Sequence, residues 1–126
     1  MVREIFVFGS NQAGRHGAGA ALYALKNHGA IYGLGEGIQG DSYALPTKDY
    51  DIQTLPLESV NVHVDTFLTF AKQHPNLVFL VTQVGCGLAG LKPQDIAPMF
   101  LPASSNCLFD VAWKKYLPDH KFWSTE

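Results

Sequence analysis

Two uninterrupted apolar runs punctuate the chain, IFVFGS at 5–10 and LVFLVT at 77–82. A strand with one wet face alternates apolar and polar residues. A continuous run rich in aromatic and β-branched side chains fits a strand covered on both faces, as in a parallel sheet. Each run leads directly into glycines, AGRHGAGAA at 13–21 and GCGLAG at 85–90. After the first, AALYALKNHG at 20–29 is built of good helix formers, with Ala21, Leu22 and Leu25 on one side and Gly29 where a glycine ends a helix. Leu57, Val60, Val64, Phe67, Leu68 and Ala71 recur at spacings of three and four and paint one stripe on a second helix; Pro56 suits its first turn and His74-Pro75 closes it. YALPT at 43–47 reads as a short strand that Pro46 assigns to an edge or to the strand's end. GLGEGIQGDS at 33–42 has no apolar periodicity and reads as a loop. Pro93 opens a short helix to about Phe100, limited by Pro98, and NCLFDV at 106–111 supplies a last strand. Strands alternating with helices predict an α/β sandwich around a mostly parallel sheet.

Composition narrows the functions. With 126 residues, 47% of them hydrophobic, the chain is expected to be one domain, residues 1–126, burying roughly 65% of its unfolded surface without a metal or disulfide to staple it. The formal charge of −2 leaves no basic excess for a long phosphate backbone. Cys86 and Cys107 lack CxxC spacing, and MVREIFVFGS lacks the apolar core of a signal peptide, so a reducing, cytoplasmic setting is expected. No apolar run approaches the ~20 residues that cross a bilayer, so no membrane partner is expected. The five histidines show no metal-ligand spacing, and neither metal nor cofactor is expected.

In open α/β sheets ligands collect at the carboxyl ends of the strands, the edge to which both apolar runs deliver glycines. Glycine lets backbone N–H groups approach a phosphate closely, and a helix N-terminus adds roughly half a positive charge. Two such turns facing one ligand suit a diphosphate; alternatively the glycines only make tight turns. GEGIQG at 35–40 matches GxGxxG, but no strand precedes it and no helix follows, so it reads as a chance match in a mobile loop. The first loop, at 14–19, has G-x-x-G-x-G spacing instead, and a dinucleotide fingerprint is not supported.

Three segments in order, SNQAGRHGAGAALYALK at 10–26, YALPTKD at 43–49 and VGCGLAGLKPQDI at 84–96, resemble the macro domain. The closest likeness is to its branch of ADP-ribosyl hydrolases with an MGAGIA-like first loop, a TK motif after a strand and a GCG second loop. The resemblance implies a three-layer α/β/α sandwich with a mostly parallel mixed sheet and a cleft for ADP-ribose or a related nucleotide diphosphate. An ADP-ribosylated protein or nucleic acid is the implied macromolecular partner. Ser10, Gly17, Ala18 and Gly19 would hold the ligand from the first loop, and Gly85, Cys86, Gly87, Leu88, Ala89 and Gly90 from the second. Lys48 would act on the anomeric carbon of the distal ribose, which a desolvated amine can attack; otherwise it is a solvated lysine beside Asp49. Asn11 would sit near that ribose or, equally, form an Asx turn. His16 would touch phosphate or move a proton, or else pack at the loop edge.

The chain also departs from the pattern. No Gly-Asp pair precedes the first strand, where macro domains commonly place an aspartate on the adenine amine. Ala89 stands where one type of the branch has an acid, although another type manages with a small residue. Cys86, between glycines at an anion site, could have a lowered pKa but reads as packing. Ser10 and Ser42 lack the GxSxG turn of a serine hydrolase. Trp113, Phe122 and Trp123 read as packing rather than a base-stacking platform. Two functions remain, ADP-ribosyl hydrolase and non-catalytic ADP-ribose-binding module, with a domain acting through protein contacts as a third.

Overall fold

The computed structural model describes residues 2–124. In chain order it contains β1 (Arg3–Asn11), α1 (Gly19–Asn27), β2 (Gly37–Gln39), β3 (Ser42–Lys48), α2 (Leu57–Gln73), β4 (Leu77–Val81), α3 (Pro93–Ile96), a 3-10 turn (Ala97–Phe100), β5 (Cys107–Asp110), a second 3-10 turn (Val111–Trp113) and β6 (Lys121–Trp123). The six strands form one sheet in the order β2-β3-β1-β4-β5-β6. Every pairing is parallel except β2 with β3. The two apolar runs are thus neighbours at its centre.

The continuous hydrophobicity of β1 is explained by cover on both faces. Ile5 and Val7 point into one core with Tyr43 and Leu45 of β3, Phe79 and Val81 of β4, and the helix residues Val60, Val64, Phe67 and Phe100. Phe6 and Phe8 point the other way, onto Ala21 and Ala24 of α1. Helix α2 buries Val60, Val64, Phe67 and Ala71, the expected stripe, while Leu57 at its start remains exposed. Each of its fully buried large apolar side chains contributes roughly 1.5–3 kcal/mol. One face of the sheet therefore carries α2 and α3, and the other carries α1. No described helix is long and apolar enough to cross a membrane.

Three expectations change. The 33–42 segment is not all loop, because Gly37–Gln39 pairs with β3. Consequently β3 is an internal strand, not an edge; β2 reaches only as far as Ala44, so at Pro46 the strand has a neighbour on the β1 side alone. The missing N–H of proline is tolerated there. NCLFDV is not the last strand, since β6 pairs beyond it. GEGIQG has, as expected, no strand before it and no helix after it, but two of its glycines have a packing task. A Cβ on Gly35 would lie 2.4 Å from the Asn11 carbonyl oxygen, and one on Gly40 2.5 Å from that of Gly29, so both glycines are required by close backbone packing. Gln39 fastens the same stretch: its buried amide accepts from the Ile31 N–H and donates to the Leu34 carbonyl.

Candidate functional site

The carboxyl ends of β1, β3, β4 and β5 open into one crevice of about 690 Å³. Both glycine loops border it. The first descends from β1 and enters α1; the second follows β4, with Gly9 in β1 making room for its root, because a Cβ there would stand 3.1 Å from the Gly85 nitrogen. The loops come within touching distance, a Cβ on Gly19 lying 3.2 Å from Leu88 Cδ1.

The glycines divide by task. Gly14 is structural: its φ is +73°, its N–H donates to the Asn11 carbonyl, its carbonyl accepts from Gly33, and a Cβ would collide with Gly33 at 2.3 Å. Gly17 and Gly87 have nothing within 4 Å of a would-be Cβ and border open crevice. Among the described residues, no protein acceptor takes the N–H groups of Gly17, Ala18, Gly87, Leu88 or Ala89. The first turn of α1 leaves its own N–H groups without intrahelical partners. Its N-cap residue Ala18 offers no side-chain cap, and no acidic residue occupies that turn. A helix end without a cancelling acidic residue and, from two loops, residues whose amides have no acceptor among the described residues therefore border one space, an arrangement favourable for an anion.

Ser10, Asn11, Gly17, Ala18, Gly19, Lys48, Gly85, Cys86, Gly87, Leu88 and Ala89, all expected at the site, line this crevice together. His16 and Gly90 do not. The His16 imidazole is fully buried, with Nε2 3.0 Å from the Leu34 carbonyl and 3.2 Å from Gln39 Oε1, and its ring is set edge-on to Phe8. Two oxygens at Nε2 require the proton to be there. His16 thus packs beneath the first loop. Gly90, with φ +74°, makes a turn whose N–H donates to the Gly87 carbonyl.

Asn11 forms the Asx turn: Oδ1 accepts from the Arg15 N–H at 2.8 Å and Nδ2 donates to the Arg15 carbonyl at 2.9 Å. Ser10 donates to the Gly35 carbonyl. Lys48, half-buried at the end of β3, has no carboxylate within ion-pair distance among the described residues. Asp49 turns away, its Oδ1 accepting from the N–H groups of Asp51 and Gln53. That turn holds Ile52, on the crevice wall, at φ +63°, an arrangement that costs a β-branched residue about 1–3 kcal/mol. Thr54 then pairs with Lys48 and donates to the Ala89 carbonyl at 2.8 Å, tying the lysine strand to the second loop. Burial pushes the Cys86 thiol up to about 11, not down, which leaves it protonated near neutrality and a poor nucleophile.

No family model, curated protein or solved structure matches the chain. The site therefore rests on its own residues. Several of these escape the sequence: Arg15, Tyr32, Ile52, Thr82, Gln83 and Asp110 also line the crevice. Asp110 could have been found from its position at the carboxyl end of a parallel strand. Tyr32 and Ile52 carry no such signal, because they reach the crevice through loop paths. No described cluster of three or more histidine, cysteine or acidic side chains could hold a metal ion.

Proposed function

We propose that this chain binds ADP-ribose, with the diphosphate between the two glycine loops, and that it removes ADP-ribose from a modified macromolecule. One observation carries the reading: residues of both loops whose main-chain amides have no protein acceptor among the described residues line a single crevice, and Lys48, with no carboxylate in ion-pair distance among those residues, lines it too. The diphosphate would take the amides of Gly17, Ala18, Gly87 and Leu88, with the α1 N-terminus adding its partial charge. The crevice volume falls within the range of small-molecule sites. In the hydrolytic step the Lys48 amine nitrogen would bond to the anomeric carbon as the bond to the leaving group breaks, the amine proton going to the leaving group; water would then displace the lysine, its oxygen bonding to that carbon and its proton returning to the amine. The resemblance of the PTKD segment to the TK motif of macro-domain hydrolases supports this role.

A second reading, a non-catalytic binding module, is favoured by the fate of the other candidates. The Asn11 amide is occupied by Arg15 and His16 packs outside the crevice, which leaves Lys48 without an evident acid–base partner. Calorimetry with ADP-ribose, followed by turnover assays on ADP-ribosylated protein and DNA, separates the two. The hydrolase is expected to turn over, and Lys48→Ala to cut the rate at least roughly 100-fold while binding changes only a few-fold. Saturable binding without turnover selects the module. If ADP-ribose at ~100 times a micromolar dissociation constant fails to add the expected increment of about 2.7 kcal/mol, both readings are wrong.

A further inference from the structure

The lysine and the second glycine loop come from strands that are not neighbours. Lys48 ends β3 and the loop follows β4, with β1 between them in the sheet. Two strand spacings of about 4.8 Å therefore separate the two strand ends, and no ladder hydrogen bond sets one against the other. Among the described residues, a single hydrogen bond joins the 48–54 segment to the 85–90 loop: the Thr54 hydroxyl donates to the Ala89 carbonyl at 2.8 Å. Thr54 is also the residue that faces Lys48 across the hairpin, through an isolated antiparallel bridge. One exposed side chain thus connects the lysine to the loop. The loop residue that it grips, Ala89, is one whose own N–H has no protein acceptor among the described residues.

The hairpin that carries Thr54 is fixed at several points. Asp49 donates its N–H to the Gln53 carbonyl and accepts at its own carbonyl from the Ile52 N–H, while its Oδ1 accepts from the N–H groups of Asp51 and Gln53. These bonds describe a three-residue hairpin loop, a tight turn followed by a left-handed residue, and the left-handed place normally goes to glycine. Here Ile52 fills it at φ +63°, on the crevice wall. Such strain persists only where the surroundings over-determine it, and it concentrates at working sites.

We infer that Thr54 is a positioning residue for the proposed cleavage: its hydrogen bond to Ala89 holds Lys48 in register with the loop that grips the diphosphate, and so sets the reach of the amine to the anomeric carbon. The inference rests on the hydrolase reading and adds to it a role for a residue outside the crevice lining. A displacement of about 1 Å near a reacting group can cost roughly 100-fold in rate. A lone exposed hydrogen bond, by contrast, contributes only modestly to stability.

Thr54→Val removes the hydroxyl and keeps the shape, whereas Thr54→Ser keeps the hydroxyl. Single-turnover assays of the full chain on ADP-ribosylated protein and DNA read the cleavage step. Calorimetry with ADP, which carries the diphosphate and lacks the distal ribose, reads the loops alone. Thr54→Val is expected to cleave about 10- to 100-fold more slowly while its ADP affinity changes by no more than a few-fold, and Thr54→Ser to recover most of the wild-type rate. A Thr54→Val protein as fast as wild type overturns the inference and leaves the hydrolase reading intact, as does a Thr54→Ser protein as slow as Thr54→Val. A loss of ADP affinity as large as the loss of rate, or a Thr54→Val chain that does not fold, also overturns it, because the hydroxyl then supports the fold alone. Wild type that cleaves neither substrate overturns the hydrolase reading together with this inference.

Discussion

At the scale of single residues, one nonapeptide contains glycines with opposite requirements. Gly14 sits at φ +73° against the Gly33 backbone, whereas Gly17, like Gly87 in the other loop, faces empty crevice. Gly14→Ala must therefore distort two chain segments, and a loss of about 2–4 kcal/mol is expected in urea unfolding. Gly87→Val is expected to leave the unfolding midpoint unchanged within about 0.5 kcal/mol, yet to abolish ADP-ribose binding because its side chain occupies the phosphate space. Equal effects on stability would contradict this division. The sequence showed that glycines cluster here; it could not show which were needed by the fold, because that depends on what lies across from each Cα.

At the scale of elements, α1 is amphipathic enough to be read from its pattern, but its start is chemically unusual. A helix of nine residues begins at Gly19 without a side-chain cap or an acidic first turn, although a cap is generally worth about 1 kcal/mol. The missing cap leaves the helix end open to an anion. Ala18→Asp should accordingly stabilise the free protein by roughly 0.5–1 kcal/mol and weaken ADP-ribose by at least about tenfold, through competition for the same amides and charge repulsion. Thermal melts with and without ligand check both signs; a variant more stable and equally avid would remove the anion from this helix end. Helix α2 was legible because burial of one face imposes a period on it, and strands β1 and β4 because each is an uninterrupted apolar run. Strands β2 and β6 were not, at three residues each, since such short pieces gain their structure from the neighbour they pair with rather than from any period of their own.

At the scale of the whole molecule, burial governs the response to alkali. Desolvation pushes the Cys107 thiol from 9.0 up to about 12, against a lowering by Ser104, and raises Tyr43 through desolvation and then Glu36. The unfolded chain loses these protons first, so the folded state binds more protons and stability falls as pH rises. From these groups stability is level below about pH 8 and declines between about pH 9 and 12. Cys107 alone accounts for a few kcal/mol at most. Urea melts from pH 7 to 11 are expected to show the decline, and Cys107→Ala to flatten part of it; a flat wild-type profile would show that the thiol is hydrated.

What the sequence by itself determined are the features enforced locally: two uninterrupted apolar strands, of which β1 is buried on both faces and β4 fully on one, an amphipathic helix, a glycine turn after each strand, and hence a mostly parallel α/β sheet. Periodicity and glycine placement are properties of neighbouring residues and survive in a linear string. The tertiary structure alone decided that β1 and β4 are adjacent, so that loops some seventy positions apart border one crevice, that His16 is buried beneath it, and that Asp110 closes its far end. Those facts depend on strand order and on which backbone passes beside which. Both are set by the packing of the whole sheet and leave no trace in the spacing of residues along the chain.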